Sequence, residues 1–163
     1  MQSLAEQLNQ EIYNENICVD EHEFSNVDLD GMYHSADYLA SPVISINTRS
    51  VKTTAHQNYV KAHELGHHHN CICNLFEAPT YIRQKYELLA DRDWVERILT
   101  PERIVQACSS GVRNPFELAE YLEIPIDAVN KGLEICFQIH GYENTHYGQY
   151  IICWNPLTVK IDT

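Results

Sequence analysis

The pattern of apolar and polar positions predicts a helix followed by three short strands. Leu4, Leu8 and Ile12 recur every four residues and predict an amphipathic helix near residues 3–14. Short apolar or alternating runs at 17–19, 31–33 and 43–47 predict the strands. The acidic stretch 20–30 between the first two runs is expected to be mostly loop.

From residue 54 onward the pattern is mainly helical. Thr53 or Thr54 can cap a first helix near 54–70, and Thr100-Pro101-Glu102 combines a cap, a proline and an acid in the order typical of a helix start. Leu88, Val95 and Leu99 form an expected core stripe on a helix near 81–99. Shorter helices are expected near 101–109, 115–122 and 126–139, and the segment 147–154 as a terminal strand or docking arm.

These elements together predict an α+β fold, in which a small three-stranded sheet packs on helices and the C-terminal portion is helical. A length of 163 residues is most simply one domain. No signal peptide or membrane-spanning segment is evident, and six cysteines without an extracellular context favour a reducing compartment. We therefore expect a cytoplasmic protein that does not bind membranes.

The charge balance bears on the choice of partner. A net charge of −12 opposes direct contact with nucleic acid. The helices near 115–122 and 126–139 are spaced like a helix-turn-helix, but Lys131 is the one cation of the second helix, which favours a packing or substrate-contact role. The acidity suits attraction to a basic protein partner, and equally suits simple solubility.

One short motif carries candidate chemistry. His63-Glu64-Leu65-Gly66-His67 places two imidazoles about one helical turn apart, on one side of a helix, where both can bind one metal ion. Glu64 projects about 100° away around the helix axis and can act as a general base toward water held at that ion. Gly66 weakens the helix by about 1 kcal/mol relative to alanine but allows another element to approach closely.

A metal centre of this kind needs a third protein ligand. Glu87 lies on the next predicted helix, and Asp91 follows it on the same face. We expect Glu87 to bind the metal and Asp91 to accept a hydrogen bond from one of the ligand histidines. His68 and His69 point in different directions around the helix and are expected to be surface or packing residues. Cys71 and Cys73 have the wrong spacing for a zinc knuckle and are interpreted as structural or incidental.

The run H-E-L-G-H-H at 63–68, followed by E-x-x-A-D at 87–91, resembles the ImmA/IrrE family of small bacterial and phage metallopeptidases. The similarity extends from about Ile17 to about His140. Departures from the family pattern are Trp94, Val95 and the two cysteines, and the tail after Gly141 has no family counterpart.

This resemblance implies a zincin-like core over about 1–100, a helical subdomain over about 101–140 and a C-terminal strand or arm over 141–163. It implies His63, His67 and Glu87 as metal ligands and Glu64 as general base, with Zn²⁺ as the cofactor and Mn²⁺ possible. The implied activity is cleavage of a helix-turn-helix transcriptional repressor. In a zincin an edge strand binds the substrate, and 31–39 or 43–47 could serve. Oxyanion donors could be Tyr33, Tyr86, His140 or His146. The alternative is a non-catalytic, metal-binding antirepressor.

Overall fold

The computed structural model describes residues 2–26, 28–35, 39–71 and 78–162. These residues form an α+β fold with six helices and two three-stranded sheets. The elements in chain order are α1 (Leu4–Asn14), β1 (Cys18–His22), β2 (Gly31–His34), β3 (Val43–Asn47), α2 (Thr54–Asn70), α3 (Thr80–Ile98), α4 (Pro101–Ser109), α5 (Pro115–Leu122), α6 (Ile126–His140), β4 (Thr145–Tyr147), β5 (Tyr150–Trp154) and β6 (Leu157–Ile161).

The chain divides into two compact units, Met1–Trp94 and Val95–Thr163. The division falls within α3, near its C-terminal end. No helix in the described ranges is both long and apolar enough to cross a lipid bilayer. The three strands and the helices expected from periodicity are present, and their bounds differ from the expected ones by a few residues.

The sheet of the first unit is built around β3. This strand pairs in parallel with β1 and antiparallel with β2. Ile44 and Ile46 are fully buried, and the intervening Ser45 is also buried, so β3 is covered on both faces. Among the described strands β2 pairs with β3 alone, which makes β2 an edge strand of this sheet.

A buried asparagine ends β3 and fixes the loops around it. Asn47 is fully buried, and its Nδ2 donates to the Leu29 carbonyl at 2.8 Å. Its Oδ1 accepts from the backbone N–H of Phe24 at 3.1 Å and of Arg49 at 3.0 Å. One amide side chain therefore satisfies three backbone groups and holds the approach to β2 in place.

α2 and α3 approach each other unusually closely. Thr53 caps α2 by accepting from the backbone N–H of His56 at 3.2 Å, as the sequence predicted. A Cβ atom on Gly66 would lie 2.7 Å from the Ala90 carbonyl oxygen and 2.8 Å from its Cα, so a glycine is needed there. This confirms the expected close approach. α3 begins at Thr80.

The core face of α3 differs from the predicted stripe. Leu88 is 62% exposed, so its assignment to the core was wrong, whereas Val95 and Leu99 are buried. Ala90 and Trp94 are fully buried in its place. α3 is therefore held by a small residue at the α2 contact and a large indole one turn later.

The second unit combines α4–α6 with an antiparallel sheet of order β4-β5-β6. The sequence predicted a terminal strand or docking arm at 147–154; the strand is present as β5, and β4 and β6, which the sequence did not predict, pair with it. Gly148 has φ +58° in the turn between β4 and β5, a conformation that favours glycine. Asn155-Pro156 connects β5 to β6. Ile152 and Trp154 of β5 are buried, which anchors the sheet.

Candidate metal centre

α2 and α3 bring three potential metal ligands together. His63 Nε2 lies 3.2 Å from Glu87 Oε2, and His67 Nε2 lies 3.5 Å from Glu87 Oε1. One ligand atom from each of the three residues lies within 4.8 Å of the others. The helical spacing of the histidines and the position of Glu87 on the next helix therefore converge as the sequence predicted.

The separations fit a single divalent ion. Ligand atoms about 2.1 Å from a tetrahedral centre lie about 3.4 Å from each other. The two nitrogen–oxygen distances, 3.2 and 3.5 Å, are close to that value and end on the two different oxygens of the Glu87 carboxylate. Two imidazoles and one carboxylate also form a donor set that leaves a fourth position open. The residues present therefore fit a catalytic type of metal site.

Asp91 lies behind the first histidine. Its Oδ1 is 3.4 Å from His63 Nδ1 and also accepts a hydrogen bond from Trp94 Nε1 at 3.1 Å. His63 Nδ1 has no aligned hydrogen-bond acceptor in the described chain, so its contact with Asp91 is an ion pair. Trp94 thus holds the carboxylate that faces His63.

The charges of the cluster are mutually stabilised. Burial alone would lower the pKa of His63, but Asp91 and Glu87 outweigh that effect and raise it to about 9. The contacts with His63 and His67 hold the pKa of Glu87 well below its usual range. In the metal-free protein a proton on His63 therefore occupies the position where a cation would bind.

Glu64 sits on the β2 side of the same helix. Its side chain is buried, and burial raises the pKa of its carboxyl group despite the opposing effect of the two histidines. The backbone N–H of Tyr33 donates to it. A Cβ atom on Gly31 would lie 2.4 Å from Val60 Cγ1 and 2.9 Å from Glu64 Oε1, so only glycine leaves room for this carboxylate.

A cleft of about 500 Å³ opens over these residues. Sequence reasoning missed Tyr59 and Arg83, which line it with His63, Glu64 and Glu87. A signal existed in each case, because Tyr59 precedes His63, and Arg83 precedes Glu87, by four residues on a helix.

The four expected oxyanion donors separate into different places. Tyr33 lines the cleft. Tyr86 is buried on α3. In the second unit His140 stacks on Trp154, and His146 lies 3.5 Å from Asp162.

The cysteine pair is described in part. Cys71 forms the C-terminal cap of α2, and its backbone N–H donates to the His67 carbonyl at 2.8 Å. Cys73 lies outside the described residues, so the interpretation of the pair stays a prediction.

Comparison of the chain with protein-family models, curated proteins and solved structures finds no match.

Proposed function

We propose that this protein is a zinc-dependent metallopeptidase with a zincin-like core, related to the ImmA/IrrE family. The observation that carries the proposal is the convergence of His63, His67 and Glu87 beside a buried Glu64 in one cleft. The motif by itself is short, but the carboxylate from a second helix completes the ligand set that catalytic zinc requires. Mn²⁺ remains compatible with the same nitrogen and oxygen donors.

Each residue of the cleft has a role in peptide hydrolysis. His63, His67 and Glu87 would hold the zinc ion, which would supply the Lewis acidity that polarises a scissile carbonyl and activates water. Glu64 takes the proton from the attacking water and passes it to the leaving amine. Among the four expected oxyanion donors, Tyr33 is the one that lines the cleft.

The strand order favours β2 over β3 as the segment that would bind substrate. β3 pairs on both sides, so residues 43–47 have no free edge to offer. β2 pairs with β3 alone among the described strands, and Gly31, Met32 and Tyr33 line the cleft. An extended peptide can add to the outer edge of β2 and place its scissile bond over the metal ligands.

The proposed substrate is a helix-turn-helix transcriptional repressor. A repressor carries basic surfaces for DNA, and a net charge of −12 attracts such a protein. This substrate places the enzyme in the cytoplasm.

The test is Glu64→Gln, co-expressed with a repressor encoded beside this gene, with fragments identified by mass spectrometry. We expect the variant to retain metal and to cleave at least about 100-fold more slowly, the usual contribution of a general base. Glu21→Gln, at an exposed carboxylate on β1, is the matched control and should cleave normally. Cleavage by Glu64→Gln at the wild-type rate would refute the assignment. Derepression by this variant without any fragments would instead indicate the non-catalytic antirepressor.

A further inference from the structure

A second cluster of metal-ligating side chains lies between α1 and the C-terminal turn of α2. Glu15, His68 and His69 each place one ligand atom within 4.8 Å of the others. His68 Nε2 lies 3.5 Å from Glu15 Oε2. Glu11, four residues before Glu15 and on the same face of α1, has its Oε1 3.8 Å from His69 Nε2. Two imidazoles thus face two carboxylates across the helix pair.

His68 and His69, which the sequence predicted to be surface or packing residues, both lie near carboxylates of the segment 11–15. Residues 68 and 69 do leave the helix about 100° apart. Their ring centroids nevertheless lie 5.3 Å apart, with His68 facing Glu15 and His69 lying between Glu11 of α1 and Asp93 of α3. Long side chains at the last turn of a helix can converge where the backbone positions diverge.

We propose that Glu15, His68 and His69 form a second divalent-cation site, separate from the His63–His67–Glu87 cluster, with Glu11 beside it. The donor set of imidazole nitrogen and carboxylate oxygen selects a transition ion such as Zn²⁺, Co²⁺ or Ni²⁺, because Mg²⁺ and Ca²⁺ prefer oxygen ligands throughout. The 3.5 Å separation of His68 and Glu15 matches the spacing of about 3.4 Å expected between two ligands of one tetrahedral ion.

The site joins two helices and touches the cleft. An ion there cross-links α1 to α2, in addition to the apolar packing of these helices. His68 Nδ1 is 2.9 Å from the Tyr33 hydroxyl, and Tyr33 lines the cleft over the first cluster. Loading of the second site therefore fixes the His68 ring and, through it, the position of the Tyr33 hydroxyl.

The histidines of the second site are more exposed than His63 and His67, which are 16% and 6% exposed, and we expect the second site to bind more weakly. The side chains of His69 and Glu15 are 29% and 45% exposed. Exposed ligands keep more rotamer freedom, which the bound ion has to remove.

The experiment counts ions on untagged protein by equilibrium dialysis against Zn²⁺, with elemental analysis, and follows Co²⁺ by visible absorption. We expect the wild type to bind about two equivalents, one tightly and one more weakly, as two preformed sites should. The double variant Glu15→Gln/His69→Asn should keep the tight equivalent and lose the weak one. The double variant His63→Asn/Glu87→Gln should show the reverse. His146→Asn, which removes an imidazole that also faces a carboxylate, is the control and should bind as the wild type does.

A wild type that saturates at one equivalent, or a weak equivalent that survives in Glu15→Gln/His69→Asn, would overturn the proposal. If the double variant does not fold, as judged by circular dichroism, Glu15→Gln alone decides. It should weaken the second equivalent at least about tenfold, and an unchanged affinity refutes the site. The outcome is independent of the peptidase proposal, because failure of the latter appears at Glu64 with ion stoichiometry intact.

Discussion

The two His–Glu clusters on α2 contain the same ligand types but differ in what surrounds them. His67 is 5% exposed, and His63 faces an aspartate that is itself held by a buried indole. His69 is 29% exposed, and its carboxylate partners lie on the surface of α1 and on α3. Similar ligand types therefore have different supports: the histidines of the first cluster are the more buried, while Glu87, like Glu15, is about half exposed. The supporting residues, more than the ligand types, are expected to set the difference in metal affinity between the two clusters.

Replacing one histidine in each cluster should give the largest difference in metal affinity. His67→Asn should weaken the tight metal site by more than about 100-fold, because loss of a ligand exceeds the 10- to 100-fold cost of losing its outer partner. His69→Asn should leave that site unchanged. Competition with a chromophoric zinc chelator measures both, and equal effects would show that the clusters are not separate.

The residues that hold His63 in place, Asp91 and Trp94, can be replaced without changing a metal ligand. Asp91→Asn should reduce the affinity of the tight site about 10- to 100-fold, because the neutral amide holds the imidazole less firmly. Trp94→Phe keeps the aromatic bulk but removes the donor to Asp91, so its effect should be smaller and in the same direction. The same chelator competition measures both variants. An unchanged metal affinity in Asp91→Asn would show that Asp91 does not support His63.

The close contact of α2 and α3 can be opened by one methyl group. Alanine at position 66 gains about 1 kcal/mol of helix propensity. It also places a Cβ atom 2.7 Å from the Ala90 carbonyl oxygen, and overpacking of this kind costs about 1–3 kcal/mol. Because the obstruction is backbone, which yields less than a side chain, we expect Gly66→Ala to lower the free energy of unfolding by about 1 kcal/mol.

Urea unfolding of metal-free protein measures that change, with Gln57→Ala on the same helix as the control. Metal affinity at the tight site should fall with stability, because α3 carries Glu87. A stabilised Gly66→Ala would mean that the helices can separate without cost.

The pH dependence of the metal-free protein provides the smallest effect. The pKa of His63 is raised from 6.5 to about 9, so its stabilising contribution is complete below pH 6.5 and is lost as pH rises through 9. The depressed pKa of Glu87 adds stability that is present above pH 4.5 and lost on acidification.

We therefore expect the metal-free protein to be most stable between pH 4.5 and pH 6.5. The free energy of unfolding should decrease by about 1 kcal/mol from pH 7 to pH 9.5. The decrease is small because Glu87 is half exposed and solvent screens its pairing with His63. Urea unfolding at the two pH values measures this. Glu87→Gln should flatten the profile, and an identical decrease in this variant would exclude the pair as its cause.

Local signals were sufficient to predict much of the fold and the site. The caps at Thr53 and Thr100 and the spacing of His63 and His67 are encoded within a few residues, and the structure contains them all. Glu87 could be anticipated because a zinc site needs a further ligand and the next helix offers one.

Features that depend on non-local packing could not be predicted. β3 is the central strand because it pairs with a strand on each side. A run of apolar residues predicts a strand but does not predict which strands pair with it. Leu88 is exposed because α3 packs against Gly66 of α2 through Ala90, and this choice of face depends on the other helix. The second cluster could not be predicted because Glu15 lies more than fifty positions before His68 in the chain.

Gly31 has a practical consequence for protein engineering. The hydrogen atom that serves as its side chain shares one small space with Val60 and Glu64. Under the proposed function, a library that randomises β2 to change peptide preference should keep glycine here, because a Cβ atom would crowd Val60 and the Glu64 carboxylate. Peptide preference and the position of the proposed general base would then depend on the same residue, and could not be redesigned separately.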